Sequence, residues 1–143
     1  LQQRQFLHAS LDVDCSVSYT DAEIRENDPI VVGGALVDTV GKQFPRIPHW
    51  QAKVMLTWHA TRKFSLSSAT RYSSYQYNTL ENSDPFGGFG GTDGFLVVDL
   101  RARWRANEDF TAALGCDNVN DRRYHVFHTM PGRTLIAELN WRH

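Results

Sequence analysis

The sequence carries reactive side chains without the spacings that organise them into a catalytic site. No HExxH, GxSxG or Walker-type loop occurs, and each of those patterns exists because a metal, an exposed nucleophile or a phosphate needs donors at fixed offsets. Gly87, Gly88, Gly90, Gly91 and Gly94 form a cluster that misses the GxGxxG spacing and leads into an alternating, strand-like stretch. It reads as a flexible loop. Asp84 and Asp93 flank it, but the oxygen spacing of a calcium loop is missing. Asp12 and Asp14 would share a strand face with no base beside them, which argues against paired-carboxylate catalysis. Cys15 and Cys116 show neither a CxxC nor a Cys/His zinc spacing, so both are expected to stay unpaired as small apolar residues. His125 and His128 straddle Phe127 with no third ligand beside them. The expectation is a protein that is not an enzyme, with no catalytic residue, metal site or cofactor.

The elements that must position these residues follow from composition and periodicity. In 143 residues, Lys and Arg number 15 against 16 Asp and Glu, for a net charge of −1. No basic excess is available to release counterions from phosphate, so nucleic acid is not an expected partner. The longest apolar stretch, 29–37, is broken by Gly33 and Gly34 and falls well short of the roughly 20 residues of a transmembrane helix. Leu1, Gln2, Gln3, Arg4 and Gln5 lack the apolar core of a secretory signal, so the opening reads as a mature or internal boundary. Strict period two then appears. Leu7, Ala9, Leu11, Val13, Cys15, Val17 and Tyr19 alternate with polar residues, and the pattern returns on Trp50, Ala52, Val54, Leu56, Trp58 and Ala60, with Gln51, Lys53, Thr57 and His59 between them. Phe64 to Tyr72, Leu96 to Ala106, Phe110 to Cys116 and Leu135 to Trp141 continue the pattern on alternate positions. These are about six antiparallel strands, each with one apolar face.

Strand length and connection length point to a membrane. Several strands approach the roughly 9 to 11 residues that a tilted strand needs to cross a bilayer, whereas ordinary strands run nearer five or six. The connections alternate: long and irregular at 22–48, short at 61–63, long at 78–94, short at 107–109, long at 118–133. Outer-membrane barrels place short turns in the periplasm and long loops outside. Trp58, Phe64, Trp104, Phe110 and Trp141 fall on the apolar parity at the short-turn end, and Tyr19, Trp50 and Tyr72 on the same parity at the long-loop end. Amphipathic rings at both ends are what two membrane interfaces select. Arg101, Arg103 and Arg105 share the opposite face, which must be wet or partnered because unpaired guanidinium groups cannot enter a dry core. The fold class expected is all-β, an antiparallel meander forming part of a transmembrane barrel.

Several motifs sharpen this. Phe44-Pro45-Arg46-Ile47-Pro48-His49-Trp50 enters a strand; Arg71-Tyr72-Ser73 precedes Gln76-Tyr77; Asp117-Asn118-Val119-Asn120-Asp121-Arg122-Arg123-Tyr124 and then Pro131-Gly132-Arg133-Thr134 open the final strand. In this order and spacing the chain resembles the C-terminal end of TonB-dependent outer-membrane receptors, from Leu7 onward. It departs from that family in ending on His143 where an aromatic is usual. The family's plug, its TonB-contacting box and most of its strands are also absent, so 1–143 is expected to be a C-terminal barrel segment of such a receptor.

The resemblance implies active uptake across the bacterial outer membrane of a scarce nutrient, most simply a ferric siderophore, with haem, cobalamin and copper open. The partners it implies are outer-membrane lipid, TonB through the plug, the nutrient ligand and the barrel-assembly machinery. It places Arg71, Tyr75, Tyr77, His125 and His128 in the ligand vestibule, where arginine and tyrosines suit an anionic or catecholate-like chelate and the histidines could touch an iron or haem ligand from a mobile segment. It places Arg101, Arg103 and Arg105 against the plug. The competing readings are a small outer-membrane surface barrel and a soluble β-domain that binds a small ligand.

Overall fold

The computed structural model describes residues 11–84 and 86–142. The alternation at Leu7 and Ala9 and the terminal His143 lie outside the described residues. In chain order the elements are β1 Leu11–Tyr19, β2 Ile30–Val32, β3 Ala35–Val37, β4 Trp50–His59, β5 Phe64–Ser73, β6 Phe95–Arg105, β7 Phe110–Asp117, β8 His125–Val126, β9 His128–Thr129 and β10 Thr134–Trp141. Six long strands form one antiparallel sheet in the order β1-β4-β5-β6-β7-β10. Apart from the two intervening hairpins, this is the meander the alternation predicts. The sheet does not close: β1 and β10 are its edges.

Directly opposed residues share a face, so the registers carry side-chain parity across the whole sheet. One row runs Leu11, Trp58, Leu66, Ala102, Leu114, Ala137. The row beside it, on the other face, runs Asp12, Thr57, Ser67, Arg101, Gly115, Ile136. The apolar face is uncovered: Leu135 is 80% exposed, Leu139 73% and Leu114 67%. Among the described residues the buried apolar side chains are Ile24, Val97 and Tyr124, none of them on that face. A sheet whose large apolar face meets no protein is stable only where its surroundings are themselves apolar. Shallow concavities lie instead along the polar face, one lined by Met55, Ser67, Ala69, Asp99, Arg101 and Asp117 and another by His59, Ser65, Arg103 and Arg105. The polar face is therefore the interior one.

The two short turns are built alike. Thr61 Oγ1 accepts the N–H groups of Lys63 and Phe64 (3.1 and 2.9 Å), and Asn107 Oδ1 accepts those of Asp109 and Phe110 (3.0 and 2.7 Å). A side-chain oxygen that satisfies two backbone donors fixes a tight reversal. The long connections differ from expectation. The segment 22–48 is not irregular throughout, because β2 and β3 pair as a hairpin across Gly33 (φ 58°) and Gly34 (φ 88°). Two consecutive positive φ angles are what a two-residue hairpin turn demands. Its strands are wholly apolar and three residues long, so no alternation could reveal them. A second hairpin, β8–β9, lies inside 118–133.

Candidate functional site: the vestibule and the interior wall

The β5–β6 pairing does not stop at the sheet. After Ser73↔Phe95 the register continues to a bridge between Gln76 and Thr92, and Thr92 bridges in turn to Val126. This extension carries Arg71, Tyr75, Asp93 and His125 on the interior parity, with Gln76, Thr92 and Val126 on the other. Tyr75 and Tyr77 meet Phe86 in a three-ring cluster, with centroids 5.2 to 5.8 Å apart. Edge and tilted ring pairs at such distances hold one another in place. Phe86 carries no alternation signal; only the repeat Phe86-Gly87-Gly88-Phe89-Gly90-Gly91 marks it. The second phenylalanine, Phe89, packs near Phe127 and His128.

Asp93 is the hub of this layer. Its Oδ1 accepts Gly87 N–H (2.6 Å), its Oδ2 accepts His125 N–H (2.8 Å) and lies 3.0 Å from His125 Nδ1, and its own N–H donates to His125 O (2.8 Å). Asp93 and His125 side chains are 11% and 19% exposed. Burial pushes the Asp93 carboxyl up, but the Gly87 N–H and the His125 side chain and N–H outweigh it and hold it below the ordinary range. Gly90 N–H to Phe127 O and Phe127 N–H to Gly91 O complete the seam. Asp84 Oδ2 likewise accepts from Asn78 N–H, Thr79 N–H and Thr79 Oγ1. The glycine segment expected to be a flexible loop is thus pinned at Gly87 and Gly90, and the two aspartates bind backbone. Among the described residues no group of three or more His, Cys, Asp or Glu could hold a metal.

The histidines separate. His125 pairs with Thr129 and Val126 with His128, so successive side chains alternate and His125 and His128 stand on opposite faces of the hairpin. His125 is a joint between the second and third long loops; His128 is exposed beside Phe89 and Phe127. The segment expected to be mobile forms a hairpin. Arg71 is engaged as well: its Nη2 lies 3.0 Å from Asp99 Oδ2.

The motif around Asn118 closes the third loop. Asn118 (φ 53°) is buried; its Nδ2 donates to Arg122 O (2.9 Å) and Pro131 O (3.1 Å), and its Oδ1 accepts Arg122 N–H (2.8 Å). Asn120 takes over the β6 edge where β7 leaves it, accepting from Val98 N–H and donating to Leu96 O. Asp121 Oδ1 accepts Arg133 N–H (2.9 Å), and a Cβ on Gly132 would sit 2.9 Å from that oxygen. Tyr124 packs on Phe95 at 4.4 Å. The first two loops are joined by Arg46 N–H to Tyr77 O and by a reciprocal Gln43–Asn82 pair.

At the short-turn end Arg101 lies over Gly115, where a Cβ would come within 3.2 Å of its Nε. Arg105 Nη2 donates to Arg62 O and Lys63 Nζ to Ala106 O. Arg101, Arg103 and Arg105 form no ion pair among the described residues. Asp12 is engaged with His59 at 3.0 Å. Cys15 and Cys116 are both free thiols, on the first and fifth strands of the sheet.

A family model described as TonB dependent receptor-like, beta-barrel, matches residues 3–119. The probable TonB-dependent siderophore receptor PiuA of Acinetobacter baumannii is 20% identical over 142 positions, covering 92% of this chain and 18% of that protein. The crystal structure of that siderophore receptor superposes with a TM-score of 0.80 at 20% identity, over 94% of this chain and 20% of its own. The ferric-catecholate import receptor Fiu of Escherichia coli K12 gives 0.71 at 19% identity, over 94% and 19%. The ferric citrate transporter FecA gives 0.75 at 19%, over 92% and 21%. The chain spans about a fifth of the length of the relatives it matches.

Proposed function

The chain belongs to the TonB-dependent receptor-like β-barrel family, and from that premise we propose that residues 1–143 form a C-terminal portion of the barrel wall of an outer-membrane receptor that imports a ferric siderophore. The observation that carries this is the uncovered apolar face, ringed by aromatics at both ends, on a sheet that is open at β1 and β10. Six strands cannot close even the smallest eight-stranded barrel, and unpaired edges in hydrocarbon cost several kcal/mol per group. The remaining strands, the plug and its TonB contact belong to the rest of the receptor, and the barrel-assembly machinery reads the terminal strand. This segment does no covalent chemistry. It supplies lipid anchor, interior wall and part of a vestibule.

In the vestibule Arg71, Tyr75 and Tyr77 offer charge and ring faces to an anionic, aromatic chelate. His125 holds the loops that frame the opening, and His128 adds an exposed ring at its outer side. Arg101, Arg103 and Arg105, which form no ion pair among the described residues, meet acidic groups of the plug. The catecholate class is supported by the aromatic and cationic lining and by the similarity to Fiu, a ferric-catecholate import receptor. The test is uptake of radioiron by a strain that depends on the full-length receptor under iron limitation. Ferric tris-catecholate uptake that disappears on deletion of tonB is expected; uptake indifferent to tonB would overturn the reading.

A further inference from the structure

Arg71 is not an open cation. It stands directly opposite Lys53 on the interior face, an arrangement of like charges that is unfavourable alone, and its guanidinium is 3.0 Å from Asp99 Oδ2. The Asp99 side chain is 20% exposed and that of Arg71 45%, so the aspartate is the fixed member and the arginine the one that reaches solvent. Asp99 is fixed because its second oxygen, Oδ1, accepts the N–H of buried Asn118 at 2.8 Å, at the neck of the third long loop.

We infer that Asp99 is a resident counter-charge which an anionic ligand must displace from Arg71, so that Asp99 sets the affinity of this wall for anionic chelates. The inference rests on the reading of Arg71 as a vestibule residue. With Asp99 ionised, the Lys53–Arg71 pair is partly neutralised and the ligand gains only the difference between two ion pairs. Without that charge, two cations face the lumen unmatched and an anion gains the whole interaction. A ligand without charge has no stake in the exchange. The two oxygens allow the roles to be separated: Asp99→Asn keeps an acceptor for Asn118 N–H and removes the charge facing Arg71.

The experiment uses the full-length receptor in outer membranes, with folding checked by heat-modifiable migration. The probes are a triply charged ferric tris-catecholate and a neutral ferric tris-hydroxamate. D99N is expected to bind the catecholate roughly three- to fivefold tighter, the range for loss of a half-exposed competing ion pair, and to leave hydroxamate affinity unchanged. R71Q is expected to weaken the catecholate, and D99N to tighten binding less in that background than in wild type, because only Lys53 then remains to be unmasked. Asp99→Ser, which also keeps a hydroxyl acceptor, repeats the test if D99N assembles poorly. If R71Q weakens catecholate binding but D99N does not tighten it, Asp99 does not compete and the inference fails while the vestibule reading stands. If R71Q changes nothing, or the wild-type receptor binds neither probe, the vestibule reading fails and takes the inference with it.

Discussion

Single residues decide how the loop layer is held over the interior. Asp93 joins the glycine segment to the third loop, and loss of its charge-assisted bonds is expected to cost about 2 to 3 kcal/mol of local stability. Its carboxyl is held below the ordinary value of 3.8, so the folded state binds the deprotonated form more tightly than the unfolded loop does. The stabilisation is therefore present above about pH 4 and lost as pH falls through the lower folded value. Limited proteolysis within 86–91 should be unchanged from pH 7 to about 5 and accelerate only in stronger acid, whereas Asp93→Ala should be cut readily at every pH. Asn118 is a second such residue, since it adopts a left-handed backbone that alanine disfavours. Asn118→Ala is expected to lose about 2 kcal/mol through that strain and its lost hydrogen bonds, read as earlier hydrogen exchange across 118–133.

At the scale of elements, the sheet's parity is the property under strongest constraint, because a one-residue slip would exchange its two faces completely. Leu100 lies on the apolar face near the middle of β6, in the row with Leu56 and Ser68. Arginine there should cost about 2 to 4 kcal/mol in the assembled barrel. Arginine at Ala69, on the other face in the row with Met55 and Asp99, should fold nearly as well as wild type. Denaturant titration of both variants in bilayers checks the assignment: equal stability would count against it, and the opposite ranking would mean that the faces are reversed. Gly132→Ala forces a Cβ against Asp121 Oδ1 and should delay assembly of β10 onto β7, measured as slower appearance of the heat-modifiable form.

For the molecule as a whole, the open sheet sets the expectation. The segment 1–143 expressed alone in detergent should give no compact, heat-resistant barrel, because β1 and β10 are open edges of the described sheet and hydrocarbon does not tolerate an open edge. A monodisperse, heat-modifiable monomer closed between those strands would instead favour a small self-contained barrel. Cys15 and Cys116 lie on strands separated by three others. Four spacings of about 4.8 Å put them far beyond the roughly 7 Å a disulfide allows, so oxidation should yield no intramolecular bond.

The six long strands, their order and their apolar face were legible in the sequence, because a half-buried strand must alternate, as Leu11 to Tyr19 does without a break and Trp50 to Trp58 does apart from Met55. The short turns were legible for the same local reason. The loop architecture was not. The pairing of Ile30–Val32 with Ala35–Val37, the docking of Gly87 on Asp93 and the opposite placement of His125 and His128 depend on contacts between segments far apart in sequence, which no periodicity records. Arg71 and Asp99 show the same division. Parity alone placed both on the interior face; that they meet, and that Asn118 holds the second oxygen of Asp99, follows only from the register of β5 against β6 and the turn that carries the chain back over it.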